Sequence, residues 1–248
     1  MTNLTGDLGV QSYCFRHFKD NSRVAELVRE IDLEAIELCG VHADFDNPET
    51  FDDTIKIYRD AGVQILAIGV QTFTGDTGRE RPWFEFARKA GAKYISAHFN
   101  PDTWEHAVKK VSKLCDEYDV KIALHNHGGY QWMGSSDMLG HIFKSTNDNI
   151  GLCLDTAWCL DAGEDPIKWV EMFGDRLYGL HIKDFIFHRN REPEDVVVGT
   201  GNLDLPRLLE KCQAADFAGY AVLEYEGDVE NPVPALSKCV DQVRAAVK

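Results

Sequence analysis

Short apolar runs alternate with amphipathic segments along the whole chain, and that alternation restricts the fold more than any single motif. Runs at 8–13, 34–38, 64–71, 93–99, 121–127, 150–154, 176–182 and 220–225 read as strands. Stretches at 22–31, 48–61, 83–90, 103–118, 136–144, 165–173, 203–215 and 234–247 read as helices. Strand followed by helix, repeated without a Ser/Pro-rich linker, predicts an α/β fold: a single (β/α)8 TIM barrel filling residues 1–248. The length of 248 residues suits such a barrel, and 44% hydrophobic residues suffice for its core. A doubly wound open sheet is the rival, but it calls for a glycine-rich phosphate loop after the first strand. Here that strand runs into Cys14-Phe15-Arg16. One connection, 184–202, is long and irregular, which points to a functional loop.

Composition removes several classes of partner. A net charge of −15 repels phosphate backbones and anionic lipid, so neither nucleic acid nor a membrane surface is expected as a partner. No run approaches the roughly 20 apolar residues of a membrane span. Residues 1–7 lack the basic and apolar regions of a secretory signal. The 7 cysteines are odd in number and scattered, as buried free thiols of a reducing cytoplasm would be. Self-association into a homo-oligomer stays open.

Chemistry in a barrel of this kind sits at the C-terminal strand ends. The ionisable residues there are Glu37 on the second strand, His98 on the fourth and the pair His125 and His127 on the fifth. The sixth ends in Asp155, the seventh in His181 and Lys183, and the eighth in Glu224 with Glu226 after it. Asp155, His181 and Glu224 each close an otherwise apolar run, where an unpartnered polar group is expensive. Oxygen and nitrogen groups converging on one axis are satisfied by a single divalent ion: Mn, Mg, Co, Fe or Zn. A network of carboxylate–histidine hydrogen bonds is the alternative.

Leu180-His181-Ile182-Lys183-Asp184, Leu152-Cys153-Leu154-Asp155 and Val222-Leu223-Glu224-Tyr225-Glu226 resemble the last three strand signatures of the xylose isomerase-like barrels. The opening Gly9-Val10-Gln11-Ser12-Tyr13 and the turn Gly199-Thr200-Gly201 are similar too. That superfamily holds sugar and sugar-phosphate isomerases and epimerases, inosose dehydratase and endonuclease IV. In it a Glu, an Asp, a His and a Glu on strands five to eight bind one divalent ion. The resemblance therefore implies Asp155, His181 and Glu224 as ligands and aligns His125 with the first glutamate, which is a departure. Trp158 is a second departure, standing where members often have His. The resemblance also implies a substrate-binding role for Lys183.

The remaining candidates divide between chemistry and packing. Glu224 or His127 is expected as the base, and Glu37 as a second base or a hydroxyl partner. His98 is either a core histidine or a substrate contact, and Arg16 either holds an anion or pairs with an acidic helix. Trp132, Trp158 and Phe185, expected in the loops after strands five, six and seven, suit the faces of a sugar. The first functional expectation is a metal-dependent isomerase or epimerase of a sugar or sugar phosphate, working through an enediolate. A lyase or dehydratase acting on a 3-keto sugar or keto-inositol is second, favoured by the strand-five histidines. A non-catalytic sugar-binding barrel is third. Endonuclease and nicotinamide chemistry are disfavoured by the acidic charge and by the missing glycine-rich loop.

Overall fold

Eight parallel strands close on themselves in the computed structural model, which describes residues 4, 7–128 and 131–247. They are β1 (Leu8–Gln11), β2 (Ala35–Leu38), β3 (Gln64–Phe73), β4 (Tyr94–Phe99), β5 (Lys121–His125), β6 (Ile150–Asp155), β7 (Leu177–Ile182) and β10 (Tyr220–Leu223). Each pairs with its sequence neighbours, and β10 pairs with β1 to complete the ring, so the expected (β/α)8 barrel is the fold. Around it lie α1 (Asn21–Glu30), α2 (Phe51–Asp60), α3 (Thr77–Ala90), α4 (Trp104–Tyr118), α5 (Ser136–Lys144), α6 (Thr156–Asp161), α7 (Pro166–Phe173), α8 (Leu205–Ala214) and α9 (Val233–Ala246). Among the described residues, no helix is long and apolar enough to cross a membrane. All the cysteines are buried and free.

Strand and helix ends follow local chemistry. Asp20, Asp165 and Asp204 accept backbone N–H bonds at the starts of α1, α7 and α8. Helix α3 starts six residues before the expected 83, because Asp76 caps it by accepting from the N–H groups of Gly78 and Arg79. Pro82 lies inside this helix, where a proline normally reads as a boundary. The connection 184–202 is less irregular than expected. It contains an antiparallel hairpin of β8 (Asp184–Phe187) and β9 (Pro193–Val196). Asp184 anchors its base by accepting from the N–H groups of Gly199, Gly201 and Leu203.

Inside the barrel, the end opposite the candidate site is filled by tyrosines. The ring of Tyr94 lies 5.8 Å from that of Tyr178 and 5.4 Å from that of Tyr220. The hydroxyl of Tyr220 meets Ser96 Oγ and Cys153 Sγ. Glycines make the room for these rings: a Cβ on Gly151 would stand 2.4 Å from the Tyr178 ring, and one on Gly179 2.5 Å from that of Tyr220. Gly179→Ala is therefore expected to destabilise the protein by about 1–3 kcal/mol through overpacking. Gly140→Ala, on α5 with open space around its Cα, should instead stabilise by about 0.5–1 kcal/mol. Urea denaturation of the two variants checks both signs.

Candidate metal centre

Neighbouring strands β5, β6, β7 and β10 deliver four ligand-type side chains to one end of the barrel. His125, Asp155, His181 and Glu224 each place one donor atom within 4.8 Å of the other three, and all four are buried. The registers make this convergence: Asp155 pairs with His181 across β6 and β7, and His181 with Val222 across β7 and β10. Glu37, from β2 on the far side of the ring, completes the cluster. His181 Nε2 lies 2.6 Å from Glu37 Oε2, and its Nδ1 lies 2.6 Å from Glu224 Oε2.

Burial and charge set the ionisation of these groups. Burial opposes a charged His181, but Cys153, Glu37 and Glu224 outweigh it and raise its pKa well above the ordinary value. With both ring nitrogens facing carboxylates, His181 donates from both, and to ligate an ion it would have to release one of those protons. Burial also disfavours an ionised Glu224, yet Lys183 and His181 prevail and hold it well below the usual carboxylate range. Asp155 is pushed up to about 6 by burial, against the pull of Lys183. His125 is lowered to about 3 by burial and by the charge of His181, so its ring is neutral. Its Nε2 stands 3.5 Å from Asp155 Oδ2, a neutral contact rather than an ion pair.

Several buried atoms have no hydrogen-bond partner among the described residues: both nitrogens of His125, Asp155 Oδ2 and Glu37 Oε1. Orphaned donors and acceptors of this kind ask for an occupant. Two carboxylates and two imidazoles fit a divalent cation of the Mn, Mg, Co, Fe or Zn group.

Side chains beyond the centre hold it in place where the strand ladders have ended. Asn126 Nδ2 donates to the Asp155 carbonyl at 2.9 Å, and Asn126 Oδ1 accepts from the Asp155 N–H at 2.8 Å. Thr156 Oγ1 does the same for β7, accepting from Lys183 N at 3.0 Å and donating to Lys183 O at 2.5 Å. Asp155 has a second role: its Oδ1 caps α6 by accepting from Trp158 N, leaving Oδ2 for the centre.

A pocket of about 300 Å³ adjoins the centre, lined by Thr72, His98, Asn100, His125, His127, Gln131 and Trp132 among others. His98 Nε2 and His127 Nδ1 are buried there without partners among the described residues, and burial lowers the pKa of His98 to about 3. The His127 ring stacks on Trp158 at 3.9 Å. A larger hollow of about 470 Å³ lies at the opposite end of the barrel, against Tyr94 and Tyr220, away from every one of these groups.

The other expected site residues divide. Trp132 lines the pocket and donates from Nε1 to Phe99 O. Trp158 sits on α6 rather than in a loop, because Asp155 starts a helix directly at the strand end. Phe185 is likewise on β8 of the hairpin rather than in a loop. Lys183 is fully buried, paired with Glu226 and 3.7 Å from Glu224. Arg16 is turned to the chain itself, donating to Glu226 O at 2.7 Å and Tyr13 O at 3.1 Å. Sequence reasoning missed Asp195, a β9 residue 3.9 Å from Lys183 that also accepts from Glu226 N. The length of the 184–202 connection was its only signal. It also missed Thr72, Asn100 and Gln131, ordinary polar residues whose grouping appears only in three dimensions.

A closed parallel barrel with a buried two-carboxylate, two-imidazole centre at the C-terminal strand ends defines the class. The chain belongs to the xylose isomerase-like TIM barrel family, whose model matches residues 25–243. An inosose dehydratase of Lacticaseibacillus casei is 25% identical over 148 residues, 53% of this chain and 50% of the relative. The rhizopine catabolism protein MocC of Rhizobium meliloti is 23% identical over 238 residues, 85% of this chain and 69% of the relative. The chain thus spans only about half the length of the L. casei dehydratase. Among solved structures, the IolI protein with a bound zinc atom superposes with a TM-score of 0.77 at 19% identity, covering 97% of this chain and 98% of that one. The 3-keto-D-glucoside 4-epimerase YcjR from E. coli gives 0.76 at 15%, covering 96% and 99%. At these identities the superpositions speak for the fold.

Asn126→Ala removes both bonds that tie Asp155 to β5. It is expected to weaken divalent-metal binding by roughly 10–100-fold while leaving the fold intact. Competition of the variant against a chromophoric chelator, with circular dichroism as control, measures this.

Proposed function

We propose that the protein is a divalent-metal-dependent lyase of the dehydratase kind, acting on a polyhydroxylated cyclic ketone of the inosose class. One observation carries the reading: four donors from adjacent strands converge within 4.8 Å, with Asp155 Oδ2 and both His125 nitrogens unpartnered among the described residues. The relatives named inosose dehydratases support the reaction class. The residues to hold the ion are His125, Asp155, His181 and Glu224, and a bound ion supplies Lewis acidity towards a carbonyl oxygen.

The chain's own groups manage the proton. His127 Nδ1, buried beside the centre, is the base that takes the proton α to the carbonyl. Stacking on Trp158 fixes the plane of that ring. The C–H electron pair becomes the new C=C bond as the C–O bond to the β-hydroxyl breaks. His127 then returns its proton to the departing hydroxyl, which leaves as water. Glu224, kept ionised by Lys183 and His181, stays a carboxylate through the cycle. His98 hydrogen-bonds a ring hydroxyl, and Trp132 and Trp158 supply apolar walls.

A second reading is epimerisation, favoured by Glu37 Oε1. That atom is a buried acceptor without a partner among the described residues, and it comes from a different wall of the barrel than His127. Reprotonation from that side returns an isomer instead of losing water. The two readings separate in D2O: proton NMR of the metal-loaded protein with an inosose shows either loss of water or an intact isomer carrying deuterium. If the metal-loaded protein does neither to any keto-polyol, both are wrong.

Removing the metal with a strong chelator is expected to abolish turnover, and Mn²⁺ or Zn²⁺ to restore it. His127→Ala should keep its metal by elemental analysis and lose roughly 10²–10⁴-fold in kcat.

A further inference from the structure

The segments at the C-terminal strand ends carry Arg16, Lys19, Arg79, Lys183, Arg189 and Arg191. None of them lines the pocket of about 300 Å³; Arg16, Lys19 and Lys183 are already committed, and Arg79 is exposed over the Trp83 ring at 5.8 Å. Lys183 is fully buried, pairs with Glu226, stands 3.7 Å from Glu224 and 3.9 Å from Asp195, and lies over the rings of Trp158 and Phe185. Arg16 donates to the carbonyls of Glu226 and Tyr13 and lies over the Tyr13 ring at 4.6 Å. Lys19 Nζ donates to Arg16 O at 2.7 Å. Arg189 and Arg191 are exposed at the turn of the β8–β9 hairpin.

Against these stand the carboxylates of Glu37, Asp155, Glu224, Glu226 and Asp195, gathered around His181 and Lys183. A divalent ion offsets two of those five charges, and Lys183 and Arg16 one each; with His181 neutral, as ligation requires, the cluster remains negative. The pocket beside it offers Thr72, His98, Asn100, His127 and Gln131, which are hydrogen-bonding groups without formal charge apart from what the histidines acquire. A phosphate ester carries about −1.5 to −2 charges at neutral pH. It would enter a negative, poorly hydrated site and find no Lys or Arg lining the pocket among the described residues. Like charges brought together across an interface cost several kcal/mol. Hydroxyl groups meet no such barrier, and they satisfy the unpartnered nitrogens of His98 and His127.

We propose that this mouth selects its substrate by charge. It admits an uncharged polyol ring, seated by hydroxyl contacts to Thr72, His98, Asn100 and Gln131, and it excludes the phosphorylated or carboxylated counterpart. The proposal rests on the reading that the centre processes a polyhydroxylated ketone, and it names which members of that class fit.

Calorimetric titration of the zinc-loaded protein at low ionic strength tests it, with myo-inositol and myo-inositol 1-phosphate as the paired probes. The neutral probe should bind at least ~100-fold more tightly than the ester, the factor that follows from a like-charge penalty of several kcal/mol. Added salt should leave the neutral affinity unchanged. Gln131→Lys, which places a free cation in the pocket, should narrow the gap at least ~10-fold. Equal or tighter binding of the ester overturns the proposal, and so does failure of both probes to bind. Turnover is read separately: charge selection without conversion of any inosose condemns the lyase reading and leaves the selection standing.

Discussion

Everything at the mouth of this barrel depends on how one buried imidazole is held. His181 lies fully inside, with a carboxylate 2.6 Å from each ring nitrogen. Glu37 comes from β2 and Glu224 from just beyond β10, so the ring ties two separate walls of the barrel to β7. A buried ionic group without partners is untenable, and with two partners it becomes a rigid crosslink. Its position in turn fixes what surrounds it. Asp155 is set by register against His181, and His125 packs edge-on against the same ring at 4.9 Å.

Support for that arrangement lies in the residues between the charged ones. Asn126 and Thr156 are the residues just after His125 and Asp155, and each bonds sideways to the next strand's backbone. They act as rungs added to the sheet where its own ladder has stopped. Strand ends fray when their N–H and C=O groups face solvent, and a centre built on fraying ends would lose its geometry. Here the ends that carry the candidate ligands are sewn together by side chains, which is how a site at the edge of a sheet acquires the stiffness of its interior.

The barrel was legible because apolar strands and amphipathic helices differ in period, and that difference survives in any single sequence. Asp155, His181 and Glu224 stood out for a related reason: each is an ionisable group ending an apolar run. Elements that break a local rule were harder to see. Helix α3 hid its first turn behind Pro82, and α6 hid because a strand's last residue is also a helix cap. Asp195 was invisible since it sits in a polar hairpin whose sequence resembles any surface loop. Only the fold of β8 against β9 turns that side chain towards Lys183. The commitments of Lys183 and Arg16 could not be read at all. A cation's partners come from other strands, and spacing along the chain carries no record of them.

The stack of Tyr94, Tyr178 and Tyr220 closes the barrel's far end as a stopper closes a flask. The Tyr220 hydroxyl is pinned to Ser96 and Cys153 beneath His181, so the plug does not swing aside. That packing blocks the far end, and the pocket beside the centre lies on the other side. Under the reading proposed above, water and product would leave by the face through which the substrate entered.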